Sequence, residues 1–250
     1  MSKIMLITGA SRGIGAATAR LAARRGFDIA VNYASNRDAA EAVAADIRKA
    51  GQRAVTIKAD VGNPADIKEL FSAVDRELGR LDAFLNNAGI LWPHSRFVDI
   101  SAEQLQRTLA VNLSGPFQAS QEAARRMSTR LGGHGGVIVN MSSMAARLGG
   151  AFECVDYGVS KGAIDTLTVG MAKELAGEGV RVNGLRPGLI MTEIHANAGE
   201  PGRVERLKAS VPLGRGGTAE DVAEAALWLM SDASAYITGI TIDVAGGRGI

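Results

Sequence analysis

Tyr157 and Lys161 stand four residues apart in the run Tyr157-Gly158-Val159-Ser160-Lys161, a spacing that brings two side chains to one face of a helix. A phenol beside a fixed ammonium is a candidate proton shuttle. Tyrosine titrates near 10, and a neighbouring positive charge favours the phenolate; working near neutral pH takes a downward shift of roughly three units, about 4 kcal/mol. Such a pair suits interconversion of a carbonyl and an alcohol, in which the oxygen gains or loses a proton while hydride moves at carbon. Upstream, Ser142-Ser143 follow the apolar run Val137 to Met141. A hydroxyl there can donate to an oxygen on which negative charge develops.

A second constellation is Thr8-Gly9-Ala10-Ser11-Arg12-Gly13-Ile14-Gly15. It follows a short apolar strand and runs into a helix. A chain making that turn must bend sharply, let a ligand approach its backbone and point free N–H groups outward, and glycine serves all three needs at a pyrophosphate. With 31 glycines in 250 residues, the spacing Gly-x-x-x-Gly-x-Gly arises by chance roughly 0.4 times per chain. Its position after the first strand carries the weight.

The elements that must position these residues alternate along the chain. Strands are expected at Ile4 to Ile7, Asp28 to Tyr33, Ala54 to Ile57, Leu81 to Leu85, Val137 to Met141, Val180 to Leu185 and Ile240 to Val244. Helices are expected at Ile14 to Arg25, Arg37 to Ala50, from the cap Asn63-Pro64 to Leu78, in a long stretch opened by Ser101 and Gln104, at Tyr157 to Ala176 and at Ala219 to Met230. The strands are continuously apolar, as strands covered on both faces are. An α/β fold follows: a single doubly wound Rossmann-type domain over 1–250, with seven parallel strands and helices on both faces. The long irregular span from about Arg186 to Thr218 is expected to supply a substrate lid, about 189–218.

Composition sets the boundaries. The 28 Lys+Arg and 26 Asp+Glu nearly cancel, which argues against a nucleic-acid partner. No apolar run is long enough to span a bilayer, and the N-terminal run before Thr8 is too short for a signal-peptide core. A cytoplasmic protein is expected. One cysteine, Cys154, and three scattered histidines give neither a disulfide framework nor zinc spacing, so no metal is expected. Cys154 is expected to pack as a small hydrophobe.

The order of these motifs resembles the short-chain dehydrogenase/reductase family over essentially the whole chain, and is similar to its 3-oxoacyl-carrier-protein reductases and sugar dehydrogenases. Residues 8 to 15 match the family turn, Asn86-Asn87-Ala88-Gly89 its motif after the fourth strand, and Tyr157-x-x-x-Lys161 its proton-transfer pair. The resemblance implies an oxidoreductase acting on CH–OH donors through a nicotinamide cofactor. It implies Tyr157 as general acid/base, Ser143 in preference to Ser142 from its interval to Tyr157, and Asn112 as holder of a water that links Lys161 to solvent. The positive charge of the oxidised nicotinamide would add to that of Lys161. The cofactor is expected to meet Gly9, Ser11, Arg12, Gly13, Ile14 and Gly15 at the pyrophosphate, and Asn32 and Ser35 at the ribose. Asp60, Val61, Asn87, Ala88 and Gly89 are expected on the adenosine side, with Tyr157, Lys161, Pro187, Gly188 and Thr192 near the nicotinamide.

The second strand ends Asn32-Tyr33-Ala34-Ser35 without an acid, whereas an NAD site places Asp or Glu there for the ribose hydroxyls. Arg12 and Arg37 are available cations for a 2′-phosphate. NADP(H) is therefore expected over NAD(H). The substrate is expected to be a small carbonyl or alcohol held by Ile90 to Asp99 with Trp92 and His94, Met144 to Asp156, and Leu189 to Thr218. Those loops hold no arginine-rich cluster that demands a phosphorylated or carboxylated substrate. The segment from Met144 to Gly150 is longer than expected of a reductase of acyl carriers. A homo-oligomer, commonly a tetramer in the family, is expected through the Tyr157 helix and the Ile240 to Val244 region. The competing expectation is an NADP(H)-binding regulatory or scaffold protein without turnover, disfavoured by the presence of Tyr157, Lys161 and Ser143 together.

Overall fold

The computed structural model describes residues 2–249. Seven strands form one parallel sheet in the order β3-β2-β1-β4-β5-β6-β7: β1 (Lys3–Ile7), β2 (Phe27–Tyr33), β3 (Ala54–Lys58), β4 (Ala83–Asn86), β5 (Gly136–Met141), β6 (Val180–Pro187) and β7 (Thr241–Val244). Chain direction across the sheet reverses between β1 and β4, which is where a doubly wound sheet opens a crevice at its C-terminal edge.

The period of two along β1 shows how both faces are covered. Met5 and Ile7 enter one core with Val31, Leu85, Val139 and Leu185, beneath α1 (Gly13–Arg24), α2 (Arg37–Lys49) and α10 (Ala219–Leu229). Ile4 and Leu6 enter the other with Phe84, Ile138 and Val182, beneath α3 (Pro64–Glu77), α5 (Gly115–Met127) and α7 (Val155–Leu175). In that second core Phe71 meets Phe84 edge-on with ring centroids 5.5 Å apart, a favoured aromatic geometry. The alanines of α1, among them Ala16, Ala19, Ala22 and Ala23, are buried and let that helix lie close to its neighbours.

Three expectations are corrected. β4 begins at Ala83 rather than Leu81, because the Asp82 carboxylate accepts from the Ile4 N–H at 2.8 Å at the start of the pairing. The helix opened by Ser101 is divided: α4 (Ala102–Leu109) passes into a π-turn, Ala110–Ser114, before α5. The span after β6 is also less irregular than expected. It carries two short helices, α8 (Ile194–Asn197) and α9 (Arg203–Leu207), and is closed at its foot by a parallel bridge between Ile190 and Gly217. Thr218 and Asp221 form a reciprocal capping box where α10 starts.

Candidate active site

A cleft of about 1590 Å³ opens along the C-terminal ends of the central strands, above the few hundred to thousand Å³ of most small-ligand pockets. The glycine turn forms one wall. Arg12, which precedes α1, supplies no side-chain cap to that helix, so its first N–H groups face the cleft without intrahelical partners. Gly9 and Gly13 have φ of +64° and +53°, the left-handed region that favours glycine. A Cβ on Gly15 would lie 2.5 Å from the Gly9 carbonyl oxygen and 2.7 Å from Asn87 Nδ2. The turn therefore fits a pyrophosphate at the head of α1.

Two asparagines brace this wall. Asn32 Oδ1 accepts from the Gly9 N–H at 3.1 Å, while its Nδ2 donates to the carbonyls of Ile57 and Ala59 at 3.2 and 3.1 Å. Asn87 Nδ2 donates to the carbonyls of Thr8 and Gly9 at 2.8 and 3.2 Å, and the Thr8 hydroxyl accepts from the N–H groups of Asn87 and Ala88. Both asparagines were read as cofactor contacts, and both line the cleft. The Asn32 amide and the Asn87 Nδ2 group hold the turn against β3 and β4.

The adenosine end contains Ser35, Asp60, Val61, Ala88 and Gly89. Asp60 accepts from the Gly62 N–H at 2.8 Å and from Arg107 at 2.7 Å; burial raises its pKa, and the hydrogen bonds from Arg107 and Gly62 with the Arg107 charge together outweigh that and leave it lowered. Arg12 also lines the cleft, with its guanidinium on the lid. With the Asn197 amide oxygen turned toward it, Asn197 accepts from Arg12 Nη1 and Nη2 at 3.1 and 2.9 Å. Arg37 stands at the start of α2, exposed and away from the cleft, and its neighbour Asn36 caps that helix through Ala39. Arg20, which the sequence did not mark, lines the cleft and pairs with Asp46 at 2.9 Å.

On the opposite wall, β5 and α7 bring Ser143, Tyr157 and Lys161 to the same space. Lys161 is 3% exposed. Its Nζ donates to the Met141 carbonyl at 2.8 Å and lies 5.5 Å from the centre of the Tyr157 ring. Burial pushes Lys161 down to about 8, against the opposing field of Asp165. Burial likewise pushes Tyr157 up to about 12, against a hydrogen bond from Ser143 that favours the phenolate. The expected lowering of Tyr157 by Lys161 is therefore not present in the chain alone. Ser142 is spent on a hydrogen bond to the Lys161 carbonyl at 3.1 Å. Ser143 accepts from the Ala145 N–H at 3.1 Å, which leaves its own proton to donate into the cleft.

Asn112 lies in the π-turn, fully buried. Its Oδ1 accepts from the Ile90 N–H at 2.8 Å and its Nδ2 donates to the Ile90 carbonyl at 2.9 Å. Gly89 lies between the two polar groups behind the site: a Cβ there would come 3.4 Å from Asn112 Oδ1 and 3.5 Å from Lys161 Nζ. Pro187, Gly188 and Thr192 line the cleft beyond Tyr157. Gly188 donates to the Val244 carbonyl at 3.0 Å, and its Cβ position lies 2.8 Å from the Ala245 side chain.

The substrate end departs most from expectation. Trp92 does not line the cleft: its indole N–H donates to Thr108 Oγ1 at 3.1 Å, and Thr108 in turn donates to buried Asp156 at 3.0 Å. His94 does line it, together with Glu153, Cys154, His195, Arg203 and Arg248. Arg203 on α9 donates to Glu153 Oε1 at 2.9 Å and to Glu200 Oε2 at 3.0 Å, and His94 Nδ1 lies 3.4 Å from Glu200. One guanidinium thus ties three substrate loops together. Its hydrogen bond lowers the pKa of Glu153. Burial pushes Cys154 up to about 11, with Glu153 adding to it, so the thiol is un-ionised at neutral pH. No local pattern marks this cluster, because Arg203 lies 50 residues from Glu153 and 109 from His94.

A glycine turn at the head of a helix, facing a half-buried phenol and hydroxyl and a buried ammonium across the switch point of a parallel sheet, defines a doubly wound α/β oxidoreductase. Residues 9–248 match the family described as Enoyl-(Acyl carrier protein) reductase. The chain is 49% identical over 245 residues to the oxidoreductase YgfF of Escherichia coli K12, covering 98% of this chain and 99% of that one. It is 38% identical to the L-rhamnose 1-dehydrogenase (NAD(P)(+)) of Sphingomonas sp. SKA58, covering 98% and 95%. A short-chain type dehydrogenase/reductase from Mycobacterium marinum superposes with a TM-score of 0.92 at 36% identity, covering 99% and 95%. The chain belongs to the short-chain dehydrogenase/reductase family and is an oxidoreductase acting on alcohol and ketone substrates. Among the described residues no helix is long and apolar enough to cross a membrane.

Proposed function

We propose that the chain is an NADP(H)-dependent oxidoreductase that interconverts a ketone or aldehyde with an alcohol, typically secondary, using Tyr157 as general acid/base. The observation that carries this reading is the convergence of Ser143, Tyr157 and Lys161 on the cleft that holds the glycine turn. When bound, the cofactor supplies or accepts the hydride. Tyr157 passes a proton to the carbonyl oxygen in reduction and takes it back in oxidation. Ser143 donates to that oxygen, a contact that strengthens as charge develops. Lys161, charged at neutral pH with its value near 8, supplies the positive field behind the phenol. Asn112 spends its side chain on Ile90, so the backbone of the π-turn is left to hold the water that relays protons to Lys161.

The acid-free end of β2 supports NADP(H) over NAD(H), as do Ser35 and Arg12 in the cleft. Binding a 2′-phosphate would have Arg12 exchange its Asn197 partner for a charged one, a stronger bond. Asn32 and Asn87 act as braces for the turn, while Ser11, Gly13, Ile14 and Gly15 offer backbone to the pyrophosphate. We further propose that residues 1–250 act as one cytoplasmic domain with 189–218 as its lid. Assembly as a homotetramer would proceed through α7, where Val159 and Val169 are exposed, and through the β7 region, where Ile240 is exposed.

The test is NADPH consumption over ketones, aldehydes and sugars, with Tyr157→Phe as control. Turnover lost in Tyr157→Phe, and a higher kcat/KM with NADPH than with NADH, support the reading. Equal turnover by the two proteins overturns the catalytic assignment, and a preference for NADH overturns the cofactor assignment.

A further inference from the structure

Arg248 lies outside the loops expected to hold the substrate, yet it lines the same cleft as Tyr157 and Glu153. Its side chain is partly buried. Burial pushes its guanidinium below the ordinary arginine value, the field of Arg203 adds to that effect, and Glu153 alone opposes it. Among the described residues Arg248 has no ion pair and no side-chain hydrogen bond, whereas Arg186 is held by Asp165 and Asp243 and Arg203 by Glu153 and Glu200. Glu153 makes its hydrogen bonds to Arg203 and none to Arg248. Its Oε1 accepts from Arg203 Nη1 at 2.9 Å and its Oε2 from Arg203 Nη2. Glu200 is shared between Arg203 and Arg206. Among the described residues two carboxylates and two guanidiniums balance there, and the charge of Arg248 remains over.

The backbone that carries Arg248 is fixed on two sides. Its N–H donates to the Ala245 carbonyl at 3.1 Å, and the Leu213 N–H, from the foot of the lid, donates to the Gly246 carbonyl at 3.1 Å. Gly246 and Gly247 have φ of +61° and +88°. A Cβ on them would strike Val211 at 2.7 Å and Pro212 at 2.9 Å, so only glycine lets this turn lie against the lid. Gly249 packs in the same way against Met144. The backbone of Arg248 is therefore held between the lid and the segment before α7, and its side chain lines the cleft within the fields of Arg203 and Glu153.

A partly desolvated cation without a counter-charge is unfavourable unless a ligand completes it. The fork of a guanidinium matches a carboxylate through two parallel hydrogen bonds. We infer that Arg248 is a specificity-determining residue that pairs with a carboxylate on the substrate, so that oxo acids and their hydroxy acids are preferred over neutral ketones and alcohols. One guanidinium left over from the Glu153–Arg203–Glu200 cluster suits a monoanion. This inference rests on the carbonyl–alcohol reading above and names the substrate class for it.

The test compares kcat/KM for levulinate and its two next longer straight-chain homologues, each against its methyl ester, with NADPH. A hydrogen bond to a charged group is worth roughly 1.5–3 kcal/mol, so the acid is expected to exceed the ester by about tenfold or more at the chain length that reaches Arg248. Arg248→Gln is expected to bring the ratio near one, and Arg248→Lys to retain part of it. A wild-type ratio near one at every length overturns the inference, as does a ratio that survives in Arg248→Gln. If wild type reduces neither acids nor esters, the carbonyl reading fails with these compounds. Calorimetric titration of the NADP⁺-loaded protein with hexanoate and hexanamide then decides the role of Arg248. Hexanoate binding at least about tenfold tighter, lost in Arg248→Gln, supports it; equal binding, or none, overturns it.

Discussion

Replacing Tyr157 with phenylalanine and following phenolate absorbance against pH isolates one ionisation among the three tyrosines of the chain. Tyr157 is pushed up to about 12, first by burial. Relative to an ordinary tyrosine near 10, two units correspond to ~3 kcal/mol against the phenolate. At about pH 10 an unshifted phenol would be half ionised, while Tyr157 would be about 1% ionised. The difference spectrum, wild type minus Tyr157→Phe, should therefore stay flat through about pH 10.5 in the cofactor-free protein. The sign for stability follows. A folded value above the unfolded one, for a group that becomes charged on losing its proton, destabilises wild type relative to Tyr157→Phe as pH rises from about 10 toward 12, and leaves the two alike below that range. Repeating the titration with NADP⁺ should move the phenolate signal to lower pH, because the nicotinamide charge is added to that of Lys161. A midpoint at or below about 10 without cofactor would refute the reasoning. It would mean that Lys161, 5.5 Å from the ring centre, already outweighs burial.

Three further outcomes are expected. Gly15→Ala places a methyl group 2.5 Å from the Gly9 carbonyl oxygen, a backbone atom that cannot swing aside, and should cost ~1–3 kcal/mol, seen as a Tm lower by about 2–4 °C per kcal/mol and as weaker NADPH binding. Asn32→Asp turns a carboxylate toward the carbonyls that accept from Nδ2 at 3.2 and 3.1 Å, so its Tm should fall further than that of Asn32→Ala; the reverse order would show that the amide is not a brace. Arg203→Ala leaves Glu153 and Glu200 without their shared cation, a loss of ~1–3 kcal/mol after allowance for their partial exposure, and hydrogen exchange should rise within 194–210 while β1 and β4 keep their protection. The pKa of Glu153 and Glu200 is lowered in the folded chain, so the ion-pair cluster is intact above the ordinary carboxylate value and weakens as pH falls through the folded one; in Arg203→Ala the share of the lid's response to acid carried by Glu153 should be lost, while that of the Glu200–Arg206 pair remains.

The fold was legible because it follows from local rules that act along the whole chain. Continuous apolar runs mark strands covered on both faces, and β1 shows the reason directly, with Met5 and Ile7 in one core and Ile4 and Leu6 in the other. Boundaries slipped where a side chain replaced a backbone partner, as Asp82 does at the start of β4. The π-turn at Ala110–Ser114 left no mark in composition, because it arises from tertiary crowding. Gly115 sits so close to the turn between β3 and α3 that a Cβ would lie 2.2 Å from the Val61 carbonyl oxygen, and the helix takes up the extra residue just before that contact. The lid helices were missed for a related reason. At four and five residues they are too short to show a period, and they are held by Glu153, Arg12 and the Ile190–Gly217 bridge, all distant in sequence.

Within the site, sequence position identified which residues gather at the cleft more reliably than it identified what each side chain does there. Asn32 and Asn87 stand where a ribose or an adenosine contact is expected and line the cleft, and the Asn32 amide and the Asn87 Nδ2 group also bond backbone at the glycine turn and the end of β3. The physical reason is general to such turns. Left-handed glycines aim N–H and C=O groups away from the sheet ladder, and any of these buried beside β1 must find a partner or carry the penalty of an unmet hydrogen bond. An asparagine, with both a donor and an acceptor at its tip, can complete one N–H and two carbonyls at once, as Asn32 does, where an aspartate could complete only the N–H. The braces leave the helix N-terminus as the turn's unspent donors, so selectivity for an anion rests on N–H groups that no side chain at β2 or β4 can neutralise. The same division holds at the opposite end, where Glu153 and Glu200 exhaust themselves on Arg203 and Arg206 and leave the charge of Arg248 to the ligand.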